Sequence, residues 1–153
     1  MANFSRMKRV GIERPAKDRA IAHGLLDDHI YSMEIDVEFV LPQCEITRIS
    51  GRMKRFTTPE CPRADEILKK AIGMRIEPGF REKVKKQIGR AGCRHYGTLL
   101  IECCDALMSA SIQFAREDLE EMGQPADSAA IRKRLLETVP ILKDSCMAYA
   151  SSE

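Results

Sequence analysis

Several familiar chemistries have no signature in this chain. It carries no G-x-S-x-G nucleophile turn, no phosphate-binding glycine-rich motif and no H-E-x-x-H pair. Six cysteines are present, yet none falls in the paired CxxC spacing that marks a structural zinc site. Aromatic residues are scarce: five Phe, three Tyr and no Trp leave little for base stacking, and a net charge of +2 provides no strong counterion-release term. Nucleic acid is therefore not expected as a partner. Long apolar runs are missing as well. The opening "MANFSRMKRV" has no signal-peptide core, and no later segment approaches the roughly 18 apolar residues of a membrane span. A cytoplasmic protein with no membrane partner is the expectation. A reducing compartment disfavours disulfides, so the cysteines point to metal or thiol chemistry.

What is present suits a soluble globular protein. A chain of 153 residues is about one domain and buries roughly two-thirds of its unfolded surface. Basic residues gather at Arg6, Lys8, Arg9, Arg14, Lys17 and Arg19, and again at Arg81, Lys83, Lys85, Lys86 and Arg90. Such runs read as solvated faces.

The clearest local pattern is "IYSMEIDVEFVL", where Tyr31, Met33, Ile35, Val37, Phe39 and Leu41 alternate with Ser32, Glu34, Asp36 and Glu38. That period of two predicts a strand with one buried and one wet face. "CEITRISGRMKRF" predicts a second antiparallel strand with a bulge or bend at Gly51, and an earlier strand is expected over Arg6 to Ile12. From Thr58 the period changes. Ala64, Ile67, Leu68, Ala71 and Ile72 take helical spacing, with Pro59 or Pro62 in the first turn and Gly73 past the end. A short helix follows with Phe80, Val84 and Ile88 inward. A long one runs from near Cys93 to about Arg116, striped by Tyr96, Leu99, Leu100, Cys103, Leu107, Ala110 and Phe114. Asp127 or Ser128 can cap a last helix bearing Ile131, Leu135, Leu136, Val139 and Leu142, which Pro140 should kink or divide. Strands first and helices after predict an α+β fold: an antiparallel sheet of about three strands, with three or four helices packed on one face. The expected organisation is a single domain over 1–122 and a docked C-terminal helical extension over 123–153.

"GRAGCRHYGTLLIECCDALMSA" raises the chemical question. Cys93 and His95 flank Arg94 at the entry to the long helix, and Cys61 sits at the entry to the first. Backbone N–H groups at a helix start are unpaired and carry partial positive charge, which favours a thiolate. An imidazole beside it can coordinate a metal or act as a base. Cys61, Cys93 and His95 would form a three-ligand set for zinc or an iron–sulfur cluster if the two helix mouths meet. Cys103 falls on the apolar stripe and reads as core, while Cys104 reads as a flank residue. Cys44 leans towards a structural role and Cys146 towards none. His23 and His29, near Asp27 and Asp28, read as surface or turn residues.

"TTPECPRADEILKKAIGMRIEPGF" followed by "GRAGCRHYGTLL" resembles a bacterial family of short proteins defined only as a domain of unknown function. Cys61, Gly73, Gly79, Gly92, Cys93 and His95 match its pattern, and the likeness covers about Arg9 to Phe114. More distantly, the layout is similar to the IscU/NifU-type iron–sulfur scaffolds. That likeness implies a scaffold-like fold, with Cys61 as the middle cysteine, Cys93 as the last and His95 as the adjacent His. The chain departs from that pattern. It has no thiol in the first hairpin, only His23, Asp27, Asp28 and His29, and His95 follows Cys93 by two positions. A single metal such as zinc would need fewer thiols, with Asp28 or His29 as the fourth ligand.

Three functions follow as expectations. The first is a metal- or cluster-binding protein using Cys61, Cys93 and His95. The second is a thiol enzyme or persulfide carrier with Cys61 or Cys93 as nucleophile and His95 assisting. The third is a non-catalytic module that docks a protein partner and uses its cysteines as filler. A binding role is expected ahead of an enzymatic one.

Overall fold

The computed structural model describes residues 3–151. Four strands form one antiparallel sheet in sequential order: β1 (Arg6–Ala16), β2 (Arg19–Asp28), β3 (Ser32–Val40) and β4 (Glu45–Arg55). The fold is α+β as expected, with four strands where about three were predicted. β3 follows the alternation closely, with Met33, Ile35, Val37 and Phe39 all sealed in the core. Tyr31 and Leu41 fall just outside the strand and are half-buried.

The strand absent from the sequence reading is β2. Its inward positions are Ala20, Ala22, Gly24, Leu26 and Asp28, mostly too small or too polar to register as a hydrophobic period. Their smallness is structural. A β-carbon on Gly24 would stand 2.7 Å from Cys103 Sγ and 3.2 Å from Leu99 Cγ, so the long helix lies directly on this strand. Gly51 serves the same end on β4: a β-carbon there would come within 2.6 Å of Leu68 Cδ1 and 3.0 Å of the Tyr96 ring. The predicted irregularity at Gly51 is absent. The register instead shifts on either side of it, opposite Ser32/Met33 and Glu38/Phe39.

Four α-helices follow: α1 (Asp65–Leu68), α2 (Phe80–Val84), α3 (Arg94–Glu121) and α4 (Ser128–Thr138). The first predicted helix is broken into pieces. A 3-10 turn over Cys61–Ala64 leads into α1, and a second over Lys69–Ala71 ends it. Ala64, Leu68 and Ala71 are buried as the spacing requires, while Ile72 is left exposed. The second helix starts after Gly79 (φ +86°) and continues from α2 as a π-helical segment, Lys85–Arg90. Phe80, Val84 and Ile88 point inward as expected.

α3 corrects the hydropathy expectation. Over 18 residues its mean hydropathy reaches 1.3, so by length and composition it could cross a membrane, and 39% of that stretch is buried inside the protein. Within the fold its Tyr96, Leu99, Leu100, Cys103 and Cys104 are sealed in the core. Cys104 thus belongs to the interior rather than the flank, because the sheet side of α3 is wider than a single stripe.

By internal contacts the chain falls into two compact units, one up to Ala106 and the other from Leu107 onward. That division lies inside α3, upstream of the 122/123 boundary expected from the Gly–Gln–Pro break. In the second unit Ala115, Leu119, Ile131, Leu135 and Val139 form a core, with Met108, Leu142 and Tyr149 packed against it. Asp127 caps α4 by accepting the Ala130 N–H at 2.9 Å. The helix ends at Thr138, and Pro140 opens a separate 3-10 turn.

Candidate functional site

The three predicted residues come from two places in the first unit. Cys61 opens the 3-10 turn that precedes α1. Cys93 stands just before α3, where its carbonyl accepts the Gly97 N–H at 3.0 Å and its own N–H reaches Ile88 O at 3.0 Å. His95 lies in the first turn of α3. All three are partly exposed.

Cys61 does not face a long helix. Its four-residue turn offers little aligned dipole, and the polarisation comes from nearer groups. The Thr58 hydroxyl lies 3.5 Å from Cys61 Sγ and the Thr57 hydroxyl 3.8 Å away. The Thr58 side chain and backbone, then those of Thr57, outweigh partial burial and bring the thiol down to about 7. Hydrogen bonds to the charged form are one of the three ways a pKa moves, and they dominate here.

Thr57 connects this thiol to the hairpin between β2 and β3. Its hydroxyl is 3.2 Å from the Tyr31 hydroxyl, and the Tyr31 ring packs on the His95 imidazole at 4.2 Å between centroids, tilted by 41°. Across the ring, Arg6 brings a guanidinium nitrogen to 3.5 Å from His95 Nε2. Burial, then the positive charges of Arg6 and Arg94, push His95 below its ordinary value, with Asp28 opposing them. Both effects favour the neutral imidazole.

Asp28 anchors this end. Its Oδ1 accepts the N–H groups of Ile30 and Tyr31, each at 2.7 Å, and its Oδ2 takes Arg6 Nε at 2.6 Å. Burial alone would raise the carboxyl. The Tyr31 and Ile30 amides and the Arg6 guanidinium overcome it and hold Asp28 at about 2. Arg55 closes the turn by donating to the Asp28 carbonyl and to Asp27 Oδ1, the latter at 3.3 Å. Asp28 also lines an open depression of about 500 Å³ with Ser5, Met7, Asp27, His29 and Arg55. Asp28, expected from sequence with His29 as the alternative for a fourth ligand, has both its oxygens engaged by these partners.

The arrangement is thus a string: Cys61, Thr57, Tyr31, His95, Arg6, Asp28. Sequence reasoning found Cys61 and His95 and missed the two groups between them. Tyr31 read as a buried strand residue, and its partner Thr57 is 26 positions away. Thr58, three residues before Cys61, carries a legible signal, since Ser and Thr hydroxyls habitually bond groups two to three residues on. Three of the other thiols, Cys44, Cys103 and Cys104, are buried. Burial pushes Cys44 up to about 11 and Cys103 up to about 12, and holds Cys104 well above an ordinary thiol. His23 sits on the outer face of the sheet against Asp36 at 2.5 Å, which raises its pKa. Among the described residues, no group of three or more His, Cys, Asp and Glu side chains is gathered so that it could hold a metal ion.

A family model described as "Protein of unknown function (DUF2889)" matches residues 13–109, more than half of the chain. No curated protein and no solved structure matches it.

Proposed function

We propose, for a chain that belongs to the DUF2889 family of proteins of unknown function, that its first unit is a reactive-thiol site with Cys61 as the nucleophile. The observation that carries this reading is the placement of the half-exposed Cys61 sulfur beside the Thr57 and Thr58 hydroxyls. The string through Thr57 and Tyr31 leads from there to a neutral imidazole. A thiol at about 7 is half thiolate at neutral pH, and the thiolate is the form that attacks a soft electrophile. His95 has no proton on one ring nitrogen at that pH and can take one from an incoming group. Thr57 and Tyr31 hold the intervening surface by their mutual hydrogen bond and the ring contact.

The test is alkylation of Cys61 by iodoacetamide, followed by peptide mass spectrometry from about pH 5 to about pH 10. The rate should rise through a midpoint near 7, and Thr58→Val should move that midpoint up towards an ordinary thiol. A midpoint already at the ordinary value would end the proposal.

Zinc or iron–sulfur binding by Cys61, Cys93 and His95, with the IscU/NifU-type likeness behind it, needs those three side chains to converge. The thiol reading needs only Cys61 and its immediate donors, and that is why the geometry favours it. Elemental analysis of anaerobically purified protein separates the two. Near-stoichiometric zinc or iron that disappears in Cys93→Ala would favour the metal. A docking module with inert cysteines, the third reading, would leave Cys61 no more reactive than Cys146, which lies exposed near the other end of the chain.

A further inference from the structure

We infer that Tyr31 is a positioning residue for Cys61: its hydroxyl donates to Thr57, and the Thr57 hydroxyl in turn donates to the sulfur. A phenol on the hairpin thus steadies the thiolate through one intervening hydroxyl. The inference rests on Cys61 being the nucleophile proposed above. The three groups stand in line. The Tyr31 hydroxyl is 3.2 Å from Thr57 Oγ1, and Thr57 Oγ1 is 3.8 Å from Cys61 Sγ. The second separation suits a sulfur acceptor, which is larger than oxygen. That sulfur accepts weakly as a thiol and more strongly once it is charged.

Counting protons fixes the direction. Each hydroxyl has one proton to donate and accepts through its lone pairs. A thiolate has none, so Thr57 donates in the contact with Cys61. Its proton is then committed, and Tyr31 must donate in the contact with Thr57. A phenol is the more acidic hydroxyl of the two, which makes that the favoured sense. Both bonds run towards the sulfur, and hydrogen bonds in such a chain polarise one another. Thr58 does not make this relay redundant. Its hydroxyl lies nearer, at 3.5 Å, but it also bonds the Glu60 carboxylate. One proton cannot serve both acceptors fully, whereas Thr57 keeps its proton for the sulfur once Tyr31 fills its acceptor side.

The hairpin turn fixes where the phenol stands. The Tyr31 N–H donates to Asp28 Oδ1 at 2.7 Å, and the Tyr31 carbonyl accepts the Asp28 N–H at 2.8 Å. Its ring lies against His95 at 4.2 Å between centroids. Backbone and ring are therefore both held before the hydroxyl makes its bond.

Iodoacetamide alkylation of Cys61 in the full chain, followed against pH, tests the relay. Tyr31→Phe keeps the ring against His95 and removes the donor. It should raise the midpoint by about 0.3 units and slow alkylation roughly twofold on the acid side, because a cooperative neighbour strengthens a bond by a modest fraction. Thr57→Val should raise the midpoint further, and Thr57→Ser, which keeps the hydroxyl, should leave it in place. Tyr31→Phe/Thr57→Val should match Thr57→Val alone, since Tyr31 acts only through Thr57. Glu60, Arg63, His95 and Arg6 are unchanged in every variant, and native circular dichroism is expected of all four. A tyrosine that merely shaped the surface would alter the limiting rate at high pH and leave the midpoint where it was. A wild-type midpoint near 7 that Tyr31→Phe does not move overturns the relay and leaves the nucleophile standing. A double variant that shifts by the sum of the two single shifts does the same. A wild-type midpoint at the ordinary thiol value removes the nucleophile, and the relay with it.

Discussion

Asp28 is the residue on which the hairpin side of the site depends. It is sealed from solvent yet charged, a state that costs free energy unless every oxygen is matched. Replacing it by Asn keeps an acceptor for the two amides and removes the ion pair with Arg6. We expect Asp28→Asn to cost about 1–3 kcal/mol in urea unfolding, and to loosen the Tyr31 contact with His95. The pH dependence has a fixed sign. Asp28 is held at about 2, below its ordinary 3.8, so its contribution is complete above about pH 4 and is lost as pH falls through about 2. The Asp28→Asn variant should lack that acid limb in a stability–pH profile. At Cys61 the polarisation expected from a helix mouth has another source. The expected helix mouth is a four-residue turn, and two threonine hydroxyls replace the helix amides. The Tyr31–Thr57 bond was illegible because it joins two segments separated by two strands.

Among the elements, β2 shows what sequence patterning can and cannot carry. β3 and α3 are read from large apolar residues at regular spacing, and both stand where the spacing puts them. β2 faces the same core with Ala, Ala and Gly, because α3 approaches so closely that nothing larger fits. The close approach is a property of the packed pair and leaves no period in either member. It is also testable. Gly24→Ala should destabilise by about 1–3 kcal/mol through overpacking against Cys103 and Leu99. Cys103→Ala in the same chain should recover part of that loss, giving a coupling energy that two distant sites would not show. The fragmented helix around α1 was read as continuous because its buried positions, Ala64, Leu68 and Ala71, keep helical spacing through the 3-10 turns.

At the scale of the whole molecule, the second unit carries a core of its own. Leu135 is almost fully buried in the second, and Leu135→Ala should cost about 2–5 kcal/mol there. Hydrogen exchange should show faster amides over α4, while protection of β2 and β3 is retained. The six cysteines divide by burial. Cys44, Cys103 and Cys104 are closed in by sheet and helix, whereas Cys61, Cys93 and Cys146 reach solvent to differing degrees. A chromogenic disulfide reagent offered to the native protein should therefore be consumed in instalments: Cys61 first, its two open companions later, and the remaining three only as fast as the interior breathes. The slow instalment turns the chain into its own clock for the opening of its core.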